Sequence, residues 1–242
     1  MTLPPGPRYV PSKTVEEFIY AVLEGPPLEW RLLILTGPRG EGKTTGVIMA
    51  CAAVAEELRT KGFKDFPLIV AFVRDTWENL KRTSLAAFKE NRTKGMPIEI
   101  FDGGKQATFG HPESPAVHFW FFGLDQAADA DKLQGFTCGI LVLEEVAPAA
   151  GLATGVPPEA LGIGATSVRQ AGVPKRILVP MNPPDEDHWI LKVEKHLEEQ
   201  GLAFIKVKRF EMEPGEKARH FERLAAMTEG EEAEQWTLAA DE

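Results

Sequence analysis

The chain has 242 residues, 43% of them hydrophobic, a formal net charge of −9 and two cysteines. That length suits one α/β domain with appendages better than two full domains, and the acidic balance excludes nonspecific nucleic-acid binding by overall charge, so any such contact needs a local basic patch. Cys51 and Cys138 offer neither a disulfide framework nor metal-ligand spacing, which fits a reducing intracellular setting; no signal-peptide pattern is present, and no apolar run approaches the roughly 18 residues of a membrane span.

Residues 1–11 carry four prolines and read as an extended arm. Val15, Phe18, Ile19, Val22 and Leu23 then form a helical stripe expected to pack beside the site that follows. The apolar run Leu32, Leu33, Ile34, Leu35 predicts a buried strand, and behind it stands Gly37-Pro38-Arg39-Gly40-Glu41-Gly42-Lys43-Thr44, then Thr45: a full G-x-x-x-x-G-K-[ST] pattern. In such a loop, glycines let backbone N–H groups close around phosphates, a lysine (Lys43) reaches the β- and γ-oxygens, and a hydroxyl (Thr44) ligates Mg²⁺. Val47, Cys51, Val54, Ala55 and Leu58 recur at three- and four-residue spacing, so the loop opens an amphipathic helix whose N-terminal dipole faces the anion. Residues 37–45 are thus the expected nucleotide-binding segment, with ATP as the ligand.

A second strand is expected at 67–73, then a helix carrying Trp77, Leu80, Leu85 and Phe88 with basic positions Lys81, Arg82, Lys89, Arg92 and Lys94. Short strands are expected at 98–101 and 116–122, separated by a turn at Gly103 and Gly104. Phe119, Trp120, Phe121 and Phe122 read as core rather than as a base-stacking platform. Residues 139–143 form another buried strand, 148–164 a Gly-, Ala- and Pro-rich mobile loop, 176–180 a strand, 187–200 a helix, 204–207 a last strand, and 213–242 a charged helical tail. His118, His188 and His196 lack metal-ligand spacing, the last two being expected on one helix. Lys206, Lys208 and Arg209 are further basic candidates. Apolar strands alternating with helices predict an α/β fold with a mostly parallel, doubly wound sheet flanked by helices.

Ile140, Leu141, Val142 and Leu143 lead directly into Glu144 and Glu145, a buried strand delivering two carboxylates to the sheet edge where the phosphate loop lies, roughly 100 residues after it. Glu144 is expected in the Mg²⁺ shell with Thr44; Glu145 is expected to polarise an attacking water as general base, with Lys43 and Arg39 assisting. Asn182, followed by Pro183 and Pro184, leaves the next strand at the same edge, where its amide could sense a γ-phosphate and pass that state to the following helix.

Taken together, these segments resemble the ATPase domain of the large terminase subunit of tailed bacteriophages, an ASCE-type P-loop NTPase that drives DNA into procapsids. The resemblance rests on the arginine-bearing phosphate loop, on Val73-Arg74-Asp75-Thr76 with Leu80, on Phe122-Gly123-Leu124-Asp125 and Lys132-Leu133-Gln134-Gly135 before the acidic strand, on Asn182-Pro183-Pro184 with His188-Trp189, and on Gln235-Trp236 near the end. It implies an arm and helix at 1–30, an ATPase core at 31–210 and a linker at 211–242. It further implies Mg²⁺-dependent ATP hydrolysis and, as partners, double-stranded DNA, portal protein, procapsid and small terminase subunit. The working form would be a homo-oligomeric ring in the host cytoplasm, transiently at the portal, with no membrane contact.

Two positions depart from the family pattern: Glu144 replaces the more usual aspartate, and Gln134 stands where a trans-acting arginine often precedes the acidic strand. Lys132 and Arg169, with Arg39, remain candidate fingers. The family's nuclease domain would begin where this chain stops, so no DNA cleavage is expected of it; Glu229, Glu231, Glu232 and Glu234 read as a solvated helix. Two competing readings stay open: a helicase-like or remodelling ATPase, and a nucleotide-dependent scaffold with little turnover.

Overall fold

The computed structural model describes residues 9–25, 29–148, 155–199 and 205–227. In chain order its elements are α1 (Lys13–Leu23), β1 (Trp30–Thr36), α2 (Lys43–Thr60), β2 (Leu68–Arg74), α3 (Trp77–Arg82), α4 (Ser84–Thr93), β3 (Ile98–Phe101), β4 (Gln106–His111), β5 (Ser114–Gly123), β6 (Ile140–Leu143), α5 (Pro158–Ser167), β7 (Arg176–Met181), α6 (Trp189–Glu199), β8 (Ile205–Glu211) and α7 (Glu216–Met227). The strands form one sheet in the order β3-β4-β5-β2-β6-β7-β1-β8. From β5 to β8 neighbours pair in parallel, while β3 and β4 extend the β5 edge antiparallel. β7 lies between β1, which feeds the phosphate loop, and β6, which ends in the acids.

The period of two along each strand divides its side chains between two cores. Leu33, Leu35, Val70, Phe72, Ile140, Val142 and Leu178 point to the face covered by α1, α2 and α4. Leu32, Ile34, Ala71, Val73, Leu141, Leu143, Ile177 and Val179 point to the face that carries α5 and α6. Because both faces are covered, these strands read as continuous apolar runs rather than alternating ones. Arg176 is fully buried beneath this sheet and donates to the carbonyls of Val22 and Glu24 at 2.8 and 2.7 Å, at the C-terminal end of α1, where a cation complements the helix dipole.

Several expectations change. The single helix after β2 is two helices, α3 and α4, broken at Thr83 (φ −120°, ψ −69°); the Thr76 hydroxyl caps α3 by accepting from Asn79 N–H at 3.1 Å. Strand β4, not anticipated, forms a hairpin with β5 in which His111 faces Ser114 across a two-residue turn; Gly110 and Pro112 hide its alternation. Within 148–164, residues from Pro158 onward are helix α5, not loop: Pro158 sits in its first turn, where a missing N–H is tolerated. Gly164 lets α5 lie close on β6, since a Cβ there would come 2.8 Å from Leu141 Cδ2. Residues 149–154 lie outside the described residues. Helix α6 begins at Trp189, so His188 and His196 do not share a helix; His188 Nδ1 instead accepts from the Ile190 N–H at 3.2 Å. Of the tail, 216–227 is helix α7; residues 228–242, with Glu229, Glu231, Glu232, Glu234, Gln235 and Trp236, and residues 1–8 of the arm lie outside the described residues.

Cys51 and Cys138 are buried free thiols. Phe119 and Phe121 are core, as expected, whereas Trp120 and Phe122 are half-buried on the opposite face against Phe136, with ring centroids 5.8 and 5.1 Å away. Among the described residues no helix is long and apolar enough to cross a membrane, and no group of three or more His, Cys, Asp or Glu side chains could hold a metal by itself.

Candidate nucleotide site

Three parallel strands end side by side, and backbone hydrogen bonds fix how their exits diverge. Gly37 N–H donates to Met181 O at 3.2 Å, tying the β1 exit to β7; Glu144 N–H donates to Val73 O at 2.9 Å and Glu145 N–H to Pro180 O at 2.8 Å, tying the β6 exit to β2 and β7. Asn182 N–H donates to Ala147 O at 3.2 Å. Consequently the phosphate loop, both acids and Asn182 converge at one sheet edge, where α/β folds place ligands.

Between β1 and α2 the loop turns through Gly42, whose φ of +84° is left-handed and natural only for glycine. Gly37 is required for another reason: a Cβ would lie 2.7 Å from Met212 Cβ. Lys43, the first residue of α2, is buried, and its Nζ donates to the carbonyls of Gly37 and Pro38, both at 2.6 Å, with Asn182 Oδ1 at 3.4 Å. Burial lowers the Lys43 pKa, opposed by the nearby charges of Glu145, Glu144 and Glu41. Thr44 Oγ1 donates to Glu144 Oε1 at 2.5 Å. Arg39 is exposed at the rim.

Glu145 adopts φ +54°, an uncommon backbone state for a non-glycine residue. Its Oε2 accepts from Asn182 Nδ2 at 3.1 Å and forms an ion pair with Arg74 at 3.5 Å. Burial raises the Glu145 pKa; Arg74, Lys43 and Asn182 pull it down, while Glu144 pushes it up. The amide of Asn182 thus bridges the lysine and the second acid, through Oδ1 to Lys43 and through Nδ2 to Glu145.

Lys43, Thr44, Glu144 and Glu145, with Arg74, open onto a cavity of about 540 Å³ whose other walls include the segment at Tyr9 and Val10, α4, and Lys217, His220 and Phe221 of α7. The volume is within the range of about 300–1,000 Å³ common for small-molecule sites. Helix α7 is tethered to the loop itself: the Glu41 carboxylate accepts from the backbone N–H groups of Gly215 and Lys217 at 2.7 and 2.8 Å. Glu216 accepts in turn from Thr14 N–H and Oγ1 at 2.9 and 3.0 Å.

Lys132 and Arg169 are not part of this constellation within one chain. Lys132 pairs with Asp129 at 2.9 Å, and Arg169 donates to Thr137 Oγ1 and Gly135 O, both at 3.1 Å; neither lines the cavity. The basic candidates for nucleic acid are largely engaged. Lys206 pairs with Glu29, Arg209 with Glu194, Lys81 with Glu78 and Lys94 with Glu90, while Lys208 lies over the Phe210 ring.

The sequence pattern includes Arg74 without giving it a role, and it gives no sign of Ser84 or of the α7 wall. Ser84 Oγ, fully buried at the start of α4, donates to Glu144 Oε2. The signal for Arg74 was available, because a basic residue closing an otherwise apolar strand must meet an anion at that edge.

No known family's sequence profile matches the chain, and neither does any curated protein sequence. Solved structures do match. The large terminase of a thermophilic bacteriophage is 15% identical with a TM-score of 0.59, the match covering 93% of this chain and 52% of that one. The same terminase in complex with ADP is 16% identical with a TM-score of 0.58, covering 94% and 52%. The large terminase of bacteriophage HK97 is 16% identical with a TM-score of 0.52, covering 86% and 40%. The chain therefore spans about half the length of the thermophilic phage's protein, and over that half it has the α/β fold of a phage large terminase.

Proposed function

We propose that the chain hydrolyses ATP and couples that chemistry to translocation of double-stranded viral DNA into a procapsid, as the ATPase part of a large terminase. The observation that carries the reading is the convergence of Lys43, Thr44, Glu144, Glu145 and Asn182 at one edge of the sheet. Such a set suits phosphoryl transfer, in which the protein's work is mainly positioning and charge stabilisation. The backbone of residues 37–45 wraps the phosphates, and the Lys43 ammonium exchanges the loop carbonyls for β- and γ-oxygens. The donor set fits a magnesium ion: a hydroxyl and a carboxylate, Thr44 and Glu144, stand together as hard oxygens, and this ion takes few protein ligands besides water and phosphate. When bound, Mg²⁺ neutralises charge developing on the phosphate oxygens. Glu145 acts as general base: Asn182 and Arg74 both hold its Oε2, and among the described residues Oε1 takes no hydrogen bond, so that oxygen is the one available for the water proton. Arg39, exposed beside the loop, supplies positive charge to the γ-phosphate.

Residues 1–30 serve as an arm and packing helix, 31–210 as the ATPase core and 211–242 as the linker, working in a homo-oligomeric ring in the host cytoplasm. Portal, procapsid, small subunit and duplex DNA are its partners, and Lys132 or Arg169 reaches a neighbouring subunit's nucleotide. The likeness to a terminase solved with ADP supports the nucleotide, and the site supports the hydrolysis. The test is phosphate release by the parent and by Glu145→Gln. The variant should bind ATP as the parent does but turn over about 10²-fold more slowly, or worse. Tight binding with negligible turnover in the parent would instead favour the scaffold, and strand separation on duplex DNA the helicase-like enzyme.

A further inference from the structure

Arg74 terminates β2, the strand next to β6 in the sheet, and its side chain is only 5% exposed. Its donors are distributed in a way that packing alone does not require. Nε donates to Asp75 Oδ1 at 3.2 Å; one terminal nitrogen reaches Thr83 Oγ1 at 2.7 Å and Glu144 Oε2 at 3.4 Å; the other faces Glu145 Oε2 at 3.5 Å. One rigid guanidinium therefore contacts both acids at the strand exit, and a planar fork fixes carboxylate orientation where a lysine's single charged nitrogen would not. Its anchors are themselves held. Asp75 Oδ2 accepts from Asn79 Nδ2 at 2.7 Å, and the Thr83 hydroxyl donates to Asn79 O at 2.8 Å, so α3 braces the arginine from behind.

Two considerations separate a role at the site from a role in folding. A buried ion pair adds little net stability compared with well-packed apolar residues, so stability alone gives weak reason for an arginine here. The other is geometric: Asn182 donates to Oε2 of Glu145 from the β7 exit while Arg74 pairs with the same oxygen from β2, and among the described residues Oε1 takes no hydrogen bond. We propose that Arg74 is the positioning residue of the site, holding Glu145 through Oε2 so that Oε1 faces the attacking water, and holding Glu144 beside it against the repulsion of two adjacent carboxylates. This rests on the reading of Glu145 as the general base. Arg74 also lines the cavity; in this role it acts on the water through Glu145.

The test is a double-mutant cycle on the full chain, reading phosphate release and ATPγS affinity separately. Arg74→Gln should lower kcat by about 10²-fold, the scale of misplacing a reacting group by about 1 Å, with ATPγS affinity within about threefold of the parent. In a Glu145→Gln background the same substitution should lower kcat no more than about twofold further, because residues acting through one another are non-additive. Arg74→Lys, which retains the charge but not the fork, should fall between parent and Arg74→Gln, and it replaces Arg74→Gln in the cycle if that variant fails to fold. A crystal structure of the variant gives a readout independent of turnover: the Glu145 carboxylate should leave Asn182 Nδ2. Equal losses in both backgrounds, a loss confined to nucleotide affinity, or a Glu145 carboxylate still seated on Asn182 each overturns the proposal. Parental turnover in Glu145→Gln alone would instead remove the general-base reading on which it rests.

Discussion

The contact between the phosphate loop and α7 makes a quantitative demand. Helix α7 has no fully buried residues, and at its N-terminal end Glu41 accepts two backbone N–H groups at 2.7 and 2.8 Å. Glu41→Ala removes both acceptors. Hydrogen bonds to a charged group contribute about 1.5–3 kcal/mol each when fully shielded, but these are part-buried, and water replaces part of the loss. The net change should be that of losing a strong helix cap, about 1–2 kcal/mol, or a factor of about 5–30 in the population of the detached helix. Hydrogen exchange read by mass spectrometry should show amides of 216–227 exchanging faster by that factor, while β1, β6 and β7 keep parental protection. Glu41→Gln, which retains one acceptor oxygen, should show a smaller rise. Since Glu41 belongs to the loop that would close on phosphate, saturating ATP should further protect α7 in the parent and not in Glu41→Ala, by the reciprocity of coupled sites. Equal α7 exchange in parent and Glu41→Ala, or acceleration spread evenly over the sheet, would refute the tether.

Three other outcomes follow from the site. Lys43→Ala should abolish ATP binding measured by calorimetry, because its ammonium is the buried cation of the loop; unchanged affinity would sink the phosphate-loop assignment. Asn182→Ala should weaken ATP binding by no more than about 1.5 kcal/mol, one neutral hydrogen bond, yet reduce DNA translocated per ATP far more; parental coupling would leave Asn182 a structural residue. Turnover per subunit should rise steeply with protein concentration or with portal added, and Lys132→Ala or Arg169→Ala should lose rate while keeping ATP affinity. Full activity in a monomer, independent of concentration, would remove the need for charge supplied by a neighbour.

The parts of this molecule that were legible in the sequence are those where a backbone requirement restricts residue choice. Gly42, the continuous apolar runs of β1, β2, β6 and β7, and the acids directly after Leu143 each have a local physical reason visible without neighbours. What was missed depends on contacts remote in sequence. Thr83 interrupts the helix after β2 although the apolar spacing of Leu80, Leu85 and Phe88 continues across it, so periodicity merged α3 with α4. Helix α5 was hidden because Gly162, Gly164 and Ala165 give little amphipathic contrast, the small size of Gly164 being what close packing on β6 requires. Glu41 looked like a free position of the phosphate-loop pattern, and only the return of the chain 174 residues later gives it a partner. Arg74 was used as part of a family pattern without a role, since its partners Glu144 and Glu145 lie some 70 residues away and meet it through strand pairing alone.

The same burial that makes the site chemically useful works against the fold, and Glu145 and Lys43 show this from opposite sides. Glu145 has its pKa raised, chiefly by burial, so whatever stability its carboxyl contributes is fully present below the unfolded-state value and is lost as pH rises through the folded one. Lys43 has its pKa lowered, again chiefly by burial, so its contribution is present above the unfolded-state value and lost as pH falls through the folded one. Between those limits both groups are charged, the state that phosphate binding and general-base chemistry need, and both charges there oppose folding. Replacing Glu145 by Gln keeps the shape and the contact with Asn182 while removing the charge. The melting temperature of Glu145→Gln should therefore match the parent in acid, below the ordinary carboxylate range, and exceed it increasingly as pH rises toward neutrality. A variant no more stable than the parent at pH 8 would mean that Arg74, Lys43 and Asn182 fully offset the burial of the carboxylate, and that turnover at this site carries no stability cost.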